Sequence, residues 1–235
     1  DPDGAVLATA TSAHDVATPR PGWSEQDPDQ WWSATGKAVR GALRKAGVDT
    51  AQAAGIGLSG QMHGLVLTDD AGRPLRLAII WNDQRSGPQA ERIERDVGGR
   101  AKLIRRVGNA AMTSFTLTKL LWVQENEPRT CERARHLLLP KDYVRLRLTG
   151  DCAGDMSDMS GTLLLDTRRR RWSKEMCERF GVDRDLLPPL LESHAPAGTL
   201  RGPAARSLHL PAGVPVVAGG GDQPVGAVGT GVVSA

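Results

Sequence analysis

Three short stretches of this chain bring together groups that could do chemistry. The first is Val214-Pro-Val-Val-Ala-Gly-Gly-Gly-Asp222-Gln223-Pro-Val-Gly-Ala-Val-Gly229. A short apolar run leads into three glycines, and an acid stands where a small-residue helix should begin. The helix dipole and its free N–H groups hold a carboxylate there in a fixed place. Such a carboxylate can cap the helix, or it can act as a base that accepts a proton. The glycines lack the Lys-Ser/Thr of a Walker loop and the spacing of a dinucleotide fingerprint. The second stretch is Leu58-Ser-Gly-Gln61-Met62-His63-Gly64. Glycines at both ends permit tight backbone and close ligand approach. Gln61 and His63 supply donors and acceptors suited to hydroxyls, and Met62 a soft apolar wall. A plain hairpin loop with one surface histidine is the alternative. The third is Ile79-Ile80-Trp81-Asn82-Asp83-Gln84-Arg85, four polar groups directly after an apolar strand. Ligand sites in α/β folds lie beyond the carboxyl ends of strands. Trp81 could pack on the C–H face of a sugar while Asn82, Asp83 and Arg85 read its hydroxyls. The alternative is a core tryptophan and an aspartate that caps the next helix.

These stretches need elements to position them. The pattern predicts strands over 4–12, 54–59, 64–68, 75–81, 137–139 and 214–218. Asp27-Pro28 predicts an N-cap followed by proline at the first helical position, with Gly47 closing that helix. In it Trp32, Val39, Leu43 and Ala46 form an apolar stripe, and Gln30, Lys37, Arg40 and Arg44 face water. Further helices are expected over 85–97, 116–125, 141–148 and 172–180, with a last one starting at Asp222. Strands and helices alternate without an internal repeat, which predicts an α/β fold with mostly buried strands.

Composition excludes several classes. With 40% hydrophobic and 24% charged residues, the 235-residue chain reads as globular rather than disordered. No apolar run approaches the ~20 residues of a membrane helix, so no membrane partner is expected. Asp1-Pro-Asp-Gly4 shows neither the basic nor the apolar region of a secretory signal. Cys131, Cys152 and Cys177 are odd in number and widely spaced, which suits reduced thiols in a cytoplasm. His14, His63, His136, His194 and His209 never fall at metal-ligand spacing, and no HExxH or Gly-x-Ser-x-Gly motif occurs. The formal charge of +3 is a mild excess, and its dense cluster is Arg168-Arg169-Arg170-Arg171. That cluster reads as a solvated turn rather than a nucleic-acid site, because no aromatic or basic residues alternate around it.

Taken together, the ordered motifs resemble the FGGY family of carbohydrate kinases, and most closely its xylulose-phosphorylating members. The resemblance rests on Leu58–Gly64, on Ser114-Phe-Thr-Leu-Thr-Lys119-Leu-Leu-Trp122-Val-Gln-Glu-Asn126 and on Leu139-Pro-Lys-Asp142-Tyr143. It continues through Leu148-Thr-Gly150, Asp155-Met-Ser-Asp158-Met-Ser-Gly161-Thr162 and Gly219-Gly-Gly-Asp222-Gln223, and it begins at the loop Gly22–Pro28. Glycerol kinases of the family carry Gln-Arg-Glu where this chain has Gln61-Met62-His63. Many xylulose-acting members carry Asn where it has Gln223.

The resemblance implies a ribonuclease H-like, actin-like ATPase domain, a mixed central sheet flanked by helices. It implies transfer of the ATP γ-phosphate, with Mg2+, to the terminal hydroxyl of a ketopentose such as D-xylulose. Ribulose, gluconate, glycerol or a tetritol are the alternative substrates, and a non-catalytic sugar-binding lobe is the alternative role. It implies Asp222 as general base, with Gln61, Met62, His63, Trp81, Asp83 and Gln223 around the sugar. On this reading residues 1–235 form the N-terminal sugar-binding domain. The family's first phosphate-loop hairpin and its C-terminal ATP-binding domain would lie outside the chain, which is expected to be inactive alone. A homodimer is compatible with it.

Overall fold

The computed structural model describes residue 1 and residues 3–232 of the chain. In chain order its strands are β1 Glu25–Gln26, β2 Ser59–Gly60, β3 Val66–Thr68, β4 Ala78–Ile79, β5 His136–Leu138, β6 Gly154–Asp155, β7 Leu165–Asp166, β8 Arg171–Trp172, β9 Leu190–Leu191, β10 Pro196–Thr199, β11 Pro215–Val217 and β12 Gly220–Gly221. Its helices are α1 Pro28–Ala46, α2 Gly87–Val97, α3 Arg100–Val107, α4 Thr116–Asn126, α5 Pro128–Arg133, α6 Pro140–Thr149, α7 Met156–Met159, α8 Lys174–Arg179, α9 Gly202–Leu208 and α10 Asp222–Gly229. The result is the mixed α/β arrangement the alternating pattern predicts. Among the described residues, no helix is long and apolar enough to cross a membrane, and all three cysteines are free.

Strand pairing is mixed and short. β12 runs parallel to β2, and one turn earlier Ile56 bridges Val216 of β11 in the same sense. β1 pairs antiparallel with β4 and β3 with β5. A bridge between Leu65 and Ile79 joins those two pairs. One apolar cluster packs α2, α3 and α4 around Leu67, Ile93, Leu103, Leu117 and Leu120. A second gathers Trp31, Val66, Ile80, Tyr143, Leu148 and Val216 between α1, α6 and α9.

Helix termini follow local chemistry. Asp27 caps α1 by accepting from the Asp29 N–H, Pro28 occupies its first position, and Gly47 closes it at φ 63°. The buried face of α1 is centred on Trp31 and Ala34 rather than on Trp32 and Val39, which are half-buried. α4 ends before Pro128 and α6 at Gly150, as expected.

The strands are shorter than the sequence pattern suggests, and residues 4–12 form none. No other described strand offers them a ladder. Instead they lie along α1, where Lys45 Nζ donates to the Thr9 carbonyl at 3.1 Å. The second helix starts at Gly87 rather than Arg85, because Asp83 and Arg85 are tied into a turn before it. Trp172 belongs to β8, and Ser173 caps α8. Arg168–Arg170 form the turn of the β7–β8 hairpin.

Candidate active site

The parallel pairing of β2 and β12 organises the site. Gly220 lies opposite Ser59 and Gly221 opposite Gly60. Gln61-Met62-His63 and Asp222-Gln223 therefore leave side by side from the carboxyl ends of adjacent parallel strands, where α/β folds bind ligands. The contact is close. A Cβ on Gly221 would stand 2.6 Å from Met62 Cγ and 2.8 Å from its sulfur, so only glycine lets the two strands meet here. Gly219 and Gly220 are equally enclosed, by Leu58 and by Val225 with Ser157. The three glycines thus serve packing, and they do not form an open cradle for a phosphate.

Asp222 opens α10 and is exposed. Among the described residues its carboxylate accepts one hydrogen bond, from the neighbouring Gln223 N–H to Oδ1 at 2.9 Å. Gly221, not Asp222, holds the N-cap position, so the carboxylate is left facing solvent, one residue past the Gly221–Met62 contact. Gln223 is exposed as well.

His63 is built in with more constraint. Its φ is 67°, a left-handed conformation that costs a non-glycine residue about 1–3 kcal/mol. Lys119 Nζ and Thr116 Oγ1 hold its carbonyl at 3.0 and 3.1 Å. Its ring stands edge-on to Phe115 at 4.7 Å, and Nδ1 lies against Gly161 so closely that a Cβ there would collide with it. Burial first, and the Lys119 charge second, push its pKa down to about 4. Lys119 is itself pushed down to about 7 by burial, against the pull of Asp83. The imidazole is therefore neutral at pH 7.

This has a measurable consequence for stability. The unfolded chain protonates His63 near pH 6.5 and the folded chain only near 4. The folded state then gains a contribution that is complete above pH 6.5 and lost as pH falls through 4. The full shift corresponds to roughly 3 kcal/mol, and partial exposure reduces this to about 2 kcal/mol. Unfolding titrations between pH 7 and 4 should show that extra loss in the parent and not in His63→Asn, whose side chain tolerates positive φ.

The third stretch behaves differently from its neighbours. Trp81 is 53% exposed, so its ring is open to a ligand and is not core. Asp83 is completely buried. Its oxygens accept from the Ser24 N–H at 2.6 Å, the Arg85 N–H at 2.9 Å and the Arg85 guanidinium at 2.7 Å. This differs from the expected direct sugar contact, because no face of the carboxylate is open. Arg85 also pairs with Glu25 at 2.7 Å and lies 3.6 Å over the Trp23 ring. Asp83 thereby ties the Gly22–Pro28 loop to the end of β4. Gln61 Nε2 donates to Gln26 Oε1 at 2.6 Å, which links the same loop to the Met62–His63 turn.

Sequence reasoning on single stretches missed the charged network under the site. Lys141 Nζ lies 2.6 Å from both Asp142 Oδ1 and Asp155 Oδ1, and 4.0 Å from Asp158 Oδ2. Arg145 pairs with Asp142 at 3.0 Å and donates to the Ala218 carbonyl at 3.2 Å. All five side chains are essentially inaccessible. Burial lowers the Lys141 pKa, but Asp142, Asp158 and Asp155 overcome this and raise it. Burial pushes Asp155 up, and Lys141 with the Ser157 hydroxyl outweighs it, leaving Asp155 below the usual carboxylate range. Asp158 is driven well above that range, by burial first, with Asp142 and Asp155 adding to it against Lys141. Lys141 and Arg145 thus face three buried acids, of which Asp158 is the one pushed toward its neutral form. The network reaches the residue before Asp222: Asp155 accepts from Ser157 Oγ at 2.5 Å, and that oxygen accepts the Gly221 N–H at 3.3 Å. Among the described residues, no group of three or more His, Cys, Asp or Glu side chains is arranged to hold a metal ion.

The site is thus a carboxylate and a Gln-Met-His turn at the ends of paired parallel strands in a mixed α/β domain. The profile of the FGGY family of carbohydrate kinases, N-terminal domain, matches residues 1–229, and the chain belongs to that family. It is 44% identical over 232 residues to a xylulose kinase of Escherichia coli, a match covering 99% of this chain and 47% of that protein. A solved structure from Brucella ovis, termed a xyloylose kinase, superposes with a TM-score of 0.88 at 43% identity, over 94% of this chain and 45% of that one. The xylulose kinase of Rhodospirillum rubrum superposes with a TM-score of 0.92 at 26% identity, over 97% of this chain and 46% of that one. The fold is thus the actin-like ATPase fold of these kinases. The chain spans about half the length of the curated relatives it matches.

Proposed function

We propose that this chain is the sugar-binding half of an ATP-dependent kinase that phosphorylates the terminal hydroxyl of D-xylulose. The observation that carries this reading is the packing of Met62 on Gly221, which sets Met62, His63 and Asp222 at one pair of strand ends. The names of the similar kinases support the choice of sugar.

Each side chain has a role that follows from its surroundings. Met62 gives the sugar chain an apolar wall, and neutral His63 can donate or accept a hydrogen bond without charge. The exposed Trp81 ring offers a face for C–H groups. Gln61 fixes the turn through Gln26, and Gln223 stands beside the base as a donor for the sugar. Asp222 accepts the proton of the terminal hydroxyl as that oxygen attacks the γ-phosphorus. The bond from that phosphorus to the bridging oxygen breaks, and ADP leaves. Such transfer rests on positioning and charge stabilisation, so the base needs accurate placement more than a shifted pKa. ATP enters as co-substrate, with Mg2+ neutralising its phosphates. The close-packed glycines give it no cradle in this half, so no nucleotide contact is assigned to them. The three free thiols support a cytoplasmic location.

A coupled ADP-release assay on the kinase that carries this chain tests the substrate. D-Xylulose is expected to give at least a tenfold higher kcat/KM than D-ribulose, D-gluconate, glycerol or erythritol. A preference for glycerol, or saturable D-xylulose binding without ADP release, would overturn the reading.

A further inference from the structure

The turn Arg168–Arg171 plays no part in the sugar site, yet the fold does not leave it isolated. The last turn of α3, the β7–β8 hairpin, the start of α8 and Arg184 enclose a cleft of about 690 Å³. That is within the roughly 300–1,000 Å³ of small-molecule sites. Seven cationic side chains line it against two carboxylates, Asp166 and Glu175. Both carboxylates are already engaged. Asp166 accepts from Arg169 at 3.0 Å, and Glu175 from Arg106 at 2.9 Å and Arg179 at 3.3 Å. Arg105, Arg168, Arg171 and Arg184 have no carboxylate partner among the described residues, and all four are exposed.

Four guanidiniums from three chain segments without a carboxylate partner gather one sign of charge at the cleft. A cleft lined by one sign of charge focuses the field and concentrates counter-ions. Arginine forks match phosphate oxygens in pairs, which lysine does not do. The walls are also defined. Leu165 pairs with Trp172 and Asp166 with Arg171, and Arg169 N–H donates to Asp166 Oδ1 at 2.9 Å. The Trp172 indole, which also lines the cleft, is anchored by donating to the Pro188 carbonyl at 2.9 Å.

We propose that this cleft binds a small anion carrying two or more phosphate groups. None of its lining residues belongs to the Met62–His63–Asp222 site, so it would report on a phosphorylated small molecule other than the proposed substrate. The concavity favours such a molecule over a nucleic-acid duplex, which needs an extended basic face.

Titration calorimetry and Trp fluorescence with sodium tripolyphosphate and pyrophosphate test it on the folded protein. One saturable site per chain is expected, weakened at least tenfold in Arg168→Glu/Arg171→Glu and several-fold in Arg105→Gln. Affinity should be unchanged in Arg129→Gln, an exposed arginine elsewhere, and in Asp222→Asn. Failure to saturate, equal loss in Arg129→Gln, or loss in Asp222→Asn would overturn the proposal. So would tighter binding of a 20-base-pair duplex that is abolished by the same cleft substitutions.

Discussion

Replacing Asp222 by asparagine should lower kcat for sugar phosphorylation by about 10²–10⁴-fold, the usual contribution of a positioned general base. KM for the sugar should change by no more than about threefold, since the amide keeps the shape and the hydrogen-bonding reach of the carboxylate. The melting temperature should hardly move, because Asp222 is exposed and, among the described residues, its one internal bond is to the adjacent N–H. The separation of these readouts is what distinguishes a base from a structural acid. A fall in stability with intact turnover would assign Asp222 to the helix end alone.

The second large effect lies beneath the site. Lys141→Met should destabilise the fold by about 3–5 kcal/mol, the usual result of removing one member of a buried ion pair. In a chain of this size that is roughly a 10 °C drop in melting temperature. Lys141 bridges Asp142 and Asp155, and with it gone only Arg145 faces the buried acids. The acids should not respond alike. Asp155→Asn removes a charge that Lys141 and Ser157 stabilise, and it also loosens the link from Ser157 to the Gly221 N–H. Asp158→Asn replaces an acid whose charged form burial disfavours, so it should cost less than about 1 kcal/mol. Thermal melts of the three variants check this order. Equal losses for Asp155→Asn and Asp158→Asn would mean that the charge is shared differently.

What could be read in advance divides along physical lines. The helices were legible because their ends carry strong local signals: Asp27-Pro28 and Gly47 for α1, Pro128 after α4, Gly150 after α6. Strand lengths were not, because a ladder exists only where a partner backbone lies alongside. Residues 4–12 have a strand-like pattern and no ladder. Asp222, Met62 and His63 stood out because glycines mark each turn, and the structure explains those glycines by close approach at Gly221, against Met62, and at Gly64, against Pro140. Asp83 was legible as a notable acid, but its burial against Arg85, Trp23 and Ser24 depends on a loop some sixty residues earlier in the chain. The Lys141 network was the least legible. Its members sit on α6, β6 and α7, and nothing in their local spacing says that a lysine on one helix meets an acid from the next segment. Only the order of the motifs hinted that Lys141, Asp142, Asp155 and Asp158 belong together.

Met62, His63 and Asp222 are proposed to form one sugar site at the ends of β2 and β12. A crystal structure of the kinase that carries this chain, with D-xylulose bound, tests it most directly. The sugar is expected against Met62 and His63, with its terminal hydroxyl within about 3 Å of an Asp222 carboxylate oxygen. A sugar seated away from these strand ends, or one with its terminal hydroxyl turned from Asp222, would contradict it.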